Sequence, residues 1–525
     1  MAETLVERYG EQIAGVLNCY DRIVITGSVS PWCYAKGMTG FLYRNEIRIF
    51  DYRKFAEGMR DQVRQSVEAA AKAHGLEIKH VARKSDRKES LVQKILQVRG
   101  EAAGLVCILS AMEGCMAYEP WHDKKSGKTY VRTDKGKCLH YYVYFIDPEF
   151  GLGYMRVPTW CPFRLRVYCN GHAWLARQLD KAQIGYELCD NAFVSIDDFE
   201  RANQLAGEQS IETLQTRLEA YAKQFCPVIF GPGLSVYWSI MQAEYATDIV
   251  FKRKADLAAI YPPLLETLIQ AVKPQDIAMF LGKRPQIMRG RFCGEASSLL
   301  SKVREMGMRI KHRMGPVSIK MYDKFGQVLR IETTTNDVSF FDQHRQIQHR
   351  DGSVTTGYAS MRKSIFSLAP LRDIMHAANR RYLGLISTFE RRGADERQLA
   401  RLTEPVEEDQ HRYKGFNPLA KTDASIFRAL ASGEFAISGM TARSLRANLP
   451  AFNQGQISRL LKRLRVHGLI KKIGRHYKYY LSDFGRRVIA MALNLRELHV
   501  IPVLSQSRVC TSRLFLCTKR KDFAG

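Results

Sequence analysis

Residues 316–336, PVSIKMYDKFGQVLRIETTTN, alternate with period two on either side of a turn at Asp323 to Gln327, the pattern of a β-hairpin. Val317, Ile319 and Met321 share one face of the first strand, and Leu329, Ile331 and Thr333 share one face of the second. If both pack on a core, the opposite face is fixed. It collects Ser318, Lys320, Tyr322, Arg330, Glu332, Thr334 and Asn336, with Lys311, His312 and Arg313 just upstream. Such a group suits strand transfer at a phosphodiester: Tyr322 as nucleophile, Glu332 as ligand of Mg2+ or Mn2+, and Lys320 and Arg330 as phosphate clamp. The plainer reading is an exposed sheet face that at most touches phosphates, because any half-buried antiparallel sheet carries a polar outer face.

Other residues offer related chemistry. Asp21 opens a candidate strand, Glu113 follows a second and Asp147 ends a third, so the three could converge on metal as in two-metal nucleases of the ribonuclease-H type. With 53 acidic residues in the chain, strand-end carboxylates also arise by chance. The spacing of His122, Cys138 and His140 matches no standard zinc pattern. The run CLHYYVYF, Cys138 to Phe145, is flanked by Lys135, Lys137, Arg156, Arg164 and Arg166. Aromatics among cations can stack the bases of single strands, although tyrosine also simply favours strands. Gly27 is followed by no phosphate-binding fingerprint.

The words YDK and LRIE resemble the Y-x-K and R-x-E strands of some rolling-circle replication initiators of plasmids and phages. That likeness is confined to the hairpin, and the chain lacks the His-x-His metal motif of the broader class. It implies a nucleophilic role for Tyr322 and metal binding by Glu332.

The strongest signal lies near the carboxyl end. From Thr422 the chain reads as three helices and a basic hairpin, the order of a winged helix-turn-helix. The first helix, Asp423 to Ala431, is expected to be capped by Asp423, and the second, Thr441 to Asn448, by Thr441. The third, Asn453 to His467, repeats Ile457, Leu460, Leu461 and Leu464 on one stripe. Its other face holds Gln454, Gln456, Ser458, Arg459, Lys462, Arg463 and Arg465, side chains suited to base edges and phosphates. Gly468 is placed to end it, and Leu469 to Ile473 and Tyr477 to Leu481 form strands around Gly474-Arg475-His476. Between Phe435 and Ser482 stand ten basic residues, including Arg443, Arg446, Lys471, Lys472, Arg475 and Lys478, and no Asp or Glu. A merely soluble surface would intersperse the signs.

The wording QISRLLKRLRVHGLIKK, with YKYYLSDFGRR after it, resembles the DNA-binding part of MarR-type regulators. The whole chain is similar to a group of bacterial proteins with a C-terminal MarR-like winged helix. The resemblance implies that the third helix enters the major groove with Gln454, Gln456 and Arg459 nearest the bases, while Lys471, Lys472, Arg475 and Lys478 follow phosphates. Transcriptional regulation is one function this admits. A mobile-element or replication-associated nuclease or strand-transfer enzyme, cutting DNA with metal help, is the other.

These sites need a scaffold, and 525 residues with 46% hydrophobic and 25% charged content make an ordinary folded protein. The expected class is α+β multidomain: a mixed N-terminal α/β region (1–225), a central hairpin-plus-helix region (226–390), a linker (391–415), the winged helix (416–504) and a loose basic tail (505–525). Expected strands are Arg22 to Thr26, Leu105 to Leu109, Leu139 to Ile146 and Gly153 to Val157; expected helices are Tyr52 to His74, His172 to Gln183 and Leu371 to Phe389. No internal repeat is legible. The formal charge of +27 favours a polyanionic partner, duplex DNA first, with single-stranded DNA and RNA as alternatives. Homodimerisation is compatible with the module. No apolar run approaches the roughly 20 residues of a membrane span. Twelve cysteines without C-x-x-C pairs read as reduced thiols in a cytoplasmic protein.

Overall fold

A computed structural model describes residues 4–82, 88–100, 102–231, 233–285, 287–288, 291–292, 294–303, 307–349, 351–389, 400–432, 435, 439–473, 477–501 and 504. The chain divides into two compact units, Met1–Glu390 and Arg391–Gly525. The class is α+β. No helix among the described residues is long and apolar enough to cross a membrane.

The first unit runs α1 (Leu5–Arg8), β1 (Ile13–Val29), α2 (Ala35–Arg44), α3 (Tyr52–Ala73), β2 (Ile78–His80), α4 (Lys88–Arg99), β3 (Gly104–Asp123), β4 (Lys128–Asp147), β5 (Gly151–Pro158) and β6 (Leu165–Asn170). There follow α5 (Gly171–Lys181), the hairpin β7 (Tyr186–Cys189) and β8 (Ala192–Ile196), α6 (Phe199–Gly207) and α7 (Ile211–Phe225). The chain then re-enters the sheet through β9 (Val236–Phe251), α8 (Lys254–Ala271), α9 (Pro274–Phe280), β10 (Ile287–Met288), β11 (Arg291–Phe292), β12 (Ala296–Val303), β13 (Gly307–Met314), β14 (Val317–Lys324) and β15 (Val328–Thr335). A side hairpin, β16 (Asp342–Gln348) and β17 (Val354–Ser360), and α10 (Leu368–Phe389) complete it.

Among the described residues, eleven strands form one sheet in the order β12-β13-β14-β15-β9-β1-β6-β5-β4-β3-β2. All neighbours are antiparallel except β2 and β3. The expected boundary at residue 225 therefore does not divide the fold. β9 pairs with β1 along nearly its whole length, from Ile13↔Phe251 to Val29↔Val236, and one hydrophobic core runs from Leu5 to Ile386.

The order also contains a repetition that the sequence hides. β1 is followed by helices and then by a four-strand meander, β3 to β6, whose last member returns to pair with β1. β9 is likewise followed by helices and a meander, β12 to β15, whose last member returns to pair with β9. The two five-strand repeats, with β2 added at the outer edge of the first, meet at the β1–β9 seam.

Helix α10 packs its Asn379 beneath the neighbouring β9–β15 pair, donating to the carbonyl oxygens of Tyr245 and Ile331 and accepting from Thr333 Oγ1. Thr333, Ile331 and Leu329 thus face the core as their alternation predicts, and Arg330, Glu332 and Thr334 take the other side.

The second unit comprises the hairpin β18 (Val406–Glu408) and β19 (His411–Tyr413), α11 (Lys421–Leu430), α12 (Ala442–Asn448), α13 (Gln454–Val466), β20 (Ile470–Lys472), β21 (Tyr479–Leu481) and α14 (Asp483–Asn494). Its own core is built on Phe416, Phe427, Leu445, Ile457, Leu461 and Leu464. Thr441 caps α12 and Asn453 caps α13, each in a reciprocal capping box. Gly468 ends α13 at φ +75°, a left-handed value that favours glycine. Asp423 is not a cap. It lies within α11, accepting from Asn417 N at 2.8 Å. Residues 406–415, expected as linker, form a hairpin and a strap against α13; the tail 505–525 lies outside the described residues.

Candidate functional site

The site in the first unit starts from a fault in strand pairing. Along β1 the register with β9 slips between Tyr20 and Arg22, so Asp21 is an extra residue, a β-bulge. A bulge breaks strict alternation. Asp21 and Arg22, consecutive in sequence, therefore both reach the polar side of the sheet, Asp21 toward Arg330 at 3.5 Å and Arg22 toward Glu244 at 3.6 Å.

Arg330 is fully buried and is the centre of the group. Its Nε and Nη2 donate to the two oxygens of Asp248 at 2.6 Å each, a bidentate pair across β9 and β15. Nη2 also donates to the carbonyl of Asn191, in the β7–β8 turn that covers this end of the seam, at 2.6 Å. His172 supplies the fourth side: Nε2 lies 3.0 Å from Arg330 Nη2 and Nδ1 lies 3.0 Å from Asp21 Oδ1. Nε2 also lies 3.6 Å from Asp248 Oδ2, and although burial opposes the charged ring, Cys19 and the bonds to Asp21 and Asp248 raise its pKa well above the ordinary value.

His172 arrives there because α5 begins against β1. Gly171 sits so close that a Cβ would stand 1.8 Å from the Tyr20 carbonyl oxygen. Only glycine permits this approach.

Next along the same face, Tyr322 Oη donates to Glu332 at 2.6 Å, and Lys320 Nζ donates to the other Glu332 oxygen at 2.5 Å while lying 3.7 Å from Glu244. Oxygens of Asp21, Glu244 and Glu332, from three adjacent strands β1, β9 and β15, lie within 4.8 Å of one another. That spacing could hold a divalent cation.

The electrostatics follow from burial and pairing. Burial would raise the Asp21 carboxyl, but the hydrogen bond from His172 and the charge of Arg330 hold it far below the usual range. Burial likewise opposes the Asp248 charge, and Arg330 overrides it, lowering the pKa to about 2. Burial and then the Glu332 charge raise Glu244, outweighing Lys320 and Arg22. Burial and Glu332 also push the Tyr322 phenol well above its normal value. Lys324, fully buried with Asp190 at 3.7 Å, is lowered to about 8 by burial and by Arg330.

Five sequence candidates, Asp21, Lys320, Tyr322, Arg330 and Glu332, are thus brought together. The expected face of the hairpin is correct, but it is not an exposed surface: Tyr322, Arg330, Glu332, Ser318 and Thr334 are all buried. A phenol that is buried, bound to a carboxylate and raised in pKa is a poor nucleophile.

Glu113 does not join the cluster. It accepts from Tyr142 Oη at 2.6 Å, Lys88 Nζ at 3.0 Å and Arg156 at 2.9 and 3.1 Å, and these bonds outweigh burial to lower its pKa to about 2. Asp147 is spent on Tyr221 Oη at 2.6 Å and on the backbone N–H groups of Glu149 and Phe150. The ribonuclease-H-like trio therefore does not form. Nor do His122 and Cys138 converge, since they pair with Thr129 and Glu113 at separate points along the β3–β4 ribbon.

The sequence reading missed Glu244, Asp248 and His172. The available signal was two acids, Glu244 and Asp248, four apart in a strand, β9, that carries no other charged residue.

In the second unit, α13 buries Ile457, Leu460, Leu461 and Leu464 as expected. Gln454, Gln456, Ser458 and Arg459 are exposed, as are Arg443 and Arg446 on α12 and Lys471, Lys472 and Lys478 on or beside β20 and β21. Gln456 Oε1 is engaged by the Asn453 N–H. Three basic residues of α13 face elsewhere. Arg463 stacks on Phe416 at 3.7 Å and donates to the carbonyls of Lys414 and Gly415. Lys462 pairs with Glu408 and Asp409, and Arg465 with Glu408. These three buttress the 406–415 strap, a correction to their expected role at phosphates. Arg475 lies outside the described residues.

No protein family, curated protein or solved structure matches this chain.

Proposed function

We infer that the chain binds duplex DNA through the second unit, acting as a winged helix with α13 in the major groove. The observation that carries this is that Gln454, Ser458, Arg459, Arg443, Arg446, Lys471, Lys472 and Lys478 are all exposed, in a stretch from Phe435 to Ser482 that contains no Asp or Glu. The acids Glu408, Asp409 and Asp423 are occupied by Lys462, Arg463 and Arg465. Three helices followed by a two-stranded hairpin, with Met440 bridging to Tyr479 as a third strand position, is the arrangement such a module requires. Arg459, on the first two turns of α13, is the side chain best placed for a guanine edge. The lysines of β20 and β21 suit phosphates.

Selection of bound duplexes from a random pool, followed by titration, tests the reading. Arg459→Ala should lose about 1–3 kcal/mol of discrimination at one or two positions, whereas Lys471→Ala should weaken all sequences alike with a salt slope shallower by about one. Unchanged duplex affinity in a Lys471→Glu/Lys472→Glu variant would refute it.

A second reading is supported by the three carboxylates within 4.8 Å. Asp21, Glu244 and Glu332 would hold Mg2+ or Mn2+ for phosphodiester cleavage, with Lys320 displaced toward the phosphate. It requires metal-dependent nicking that disappears in Glu244→Gln; turnover that survives Glu244→Gln and Glu332→Gln removes it.

A further inference from the structure

The polar side of the sheet continues beyond the carboxylates into an open cleft of about 620 Å³. Its floor is strand surface, with Thr26 and Ser28 of β1, Arg166 of β6 and Ser239 of β9, and its rim carries Tyr237 and Trp160. We propose that this cleft binds single-stranded nucleic acid. The proposal rests on the first unit alone and is independent of the duplex reading of the second.

Charge is the first ground. Arg156, Arg164, Arg166 and Lys363 line the cleft, and the single lining carboxylate, Asp337, is engaged by Lys363 at 3.1 Å. Arg156 and Arg166 stand directly opposite each other on β5 and β6. Like charges in cross-strand register are destabilising. Glu113 neutralises Arg156 from behind, but no acid in the cleft answers Arg166, and an anion resting between the strands would. The same field reaches His140 in the cleft wall: burial first, and then Arg156, lower its pKa to about 4. The site therefore stays cationic through its arginines at any physiological pH.

Shape and chemistry of the walls are the second ground. Tyr237 is 47% exposed, Met241 is 39% exposed, and both border the cleft beside Trp160. Flat and polarisable groups above a row of cations and hydroxyls are what stacked bases and a phosphate chain require. The recess is of small-ligand dimensions (roughly 300–1,000 Å³).

A strand fits better than a free nucleotide because the cations continue. β1 leads from Thr26 to Arg22, four residues or about 13 Å, where Arg22 is paired with Glu244, and beyond it Lys320, paired with Glu332, and then Lys311 lie across β14 and β13. Lys311 has Lys320 as its register partner, and burial followed by the repulsion of Lys320, Arg309 and Arg313 lowers its pKa against the weaker pull of Glu244. One phosphate would satisfy one end of this track. A chain of them would satisfy its length.

The test uses the full chain and a fluorescent oligothymidylate, which forms no duplex. Arg164→Glu/Arg166→Glu should reduce affinity for it at least about ten-fold and flatten the salt dependence by one to two contacts. Tyr237→Ala should reduce affinity about five-fold or more with the salt slope unchanged. Duplex affinity should not move in either variant. Photo-crosslinking of a 4-thiothymidine oligonucleotide should label peptides containing Tyr237 or Trp160. Tryptophan emission checks folding, and Arg164→Gln/Arg166→Gln replaces the reversal should that variant unfold. Wild-type affinity in the folded variants, crosslinks confined to the second unit, or saturable binding of ATP without binding of the oligonucleotide would each overturn the proposal. Loss of duplex binding in Lys471→Glu/Lys472→Glu with oligothymidylate binding intact would leave it standing while the other reading varies separately.

Discussion

Replacing Arg330 with Met isolates the energetic centre of the first unit. Arg330 is wholly buried and Asp248 is 1% exposed, and the guanidinium makes the shortest ion pair to that carboxylate among the described residues, 2.6 Å against 3.6 Å for His172 Nε2. Methionine fills much of the volume and makes none of the hydrogen bonds. Leaving one partner of a buried ion pair uncompensated costs about 3–5 kcal/mol, and Asp21, 3.5 Å from Nη1, adds to the penalty. With unfolding entropy near 2.1 cal/mol/K per residue, a unit spanning Met1–Glu390 has on the order of 0.8 kcal/mol/K, so 4 kcal/mol corresponds to about 5 °C. Arg330→Met/Asp248→Asn should recover at least about 2 kcal/mol of the loss, since an amide needs no counter-charge.

The assay is built into the chain. All five tryptophans, Trp32, Trp121, Trp160, Trp174 and Trp238, belong to the first unit, so their emission during urea unfolding reports that unit alone. The pH dependence supplies a sign. In the wild type Asp248 is depressed to about 2 against an unfolded value of about 3.9, so its contribution is present above pH 4 and is lost as pH falls through 2. Without Arg330, burial raises the same carboxyl, which takes up a proton in the folded state more readily than in the unfolded one. The gap between wild type and variant should therefore narrow from pH 7 toward pH 4. A gap below about 1 kcal/mol at pH 7, or one that widens in acid, would refute the assignment of Arg330 as the essential counter-charge.

Lys324→Met should stabilise the first unit by about 1–3 kcal/mol at pH 7. Its folded pKa of about 8 lies below the unfolded value, so the wild type regains that stability between pH 8 and pH 10, and the advantage seen by urea unfolding should vanish there. Gly171→Ala should cost about 1–3 kcal/mol by forcing α5 off the Tyr20 carbonyl, read in the same tryptophan signal. Arg463→Ala should destabilise the second unit by about 1–3 kcal/mol, and Arg463→Lys should not rescue it, because the stack on Phe416 and the paired carbonyl bonds need a planar fork. Circular dichroism of residues 391–525 follows that loss, since the second unit has its own core.

What was legible in the sequence was whatever local periodicity encodes. Val317 to Thr335 alternates so regularly that strand limits and facing were readable, and α13 announces itself through Asn453, the Ile457 to Leu464 stripe and Gly468. Three features were not legible. The Asp21 bulge is a mismatch between two strands more than 200 residues apart, and neither strand records it alone. The polar face of the hairpin was taken as outer surface because a two-strand pattern gives no sign of a third layer, here the β7–β8 turn that brings Asn191 onto Arg330. Arg463 looked like its neighbours on the polar stripe of α13, and only the strap ending at Gly415 turns it inward.

The position of the buried charges follows from the topology. Each half of the sheet closes on its own first strand, β6 returning to β1 and β15 to β9, so the β1–β9 seam is where the two halves must be joined. Bulged pairing at Asp21 opens that seam on one side. A bulge filled with apolar side chains would be more stable than one filled with Asp21, Asp248, Arg330 and His172, given what burying charge costs. The expensive solution argues that the seam has work to do beyond cohesion. The cleft and the Arg22 to Lys311 track on the same side of the sheet indicate its nature: cations at the rim for a phosphate chain, and carboxylates beneath them that only a positive charge, lysine or metal, can satisfy.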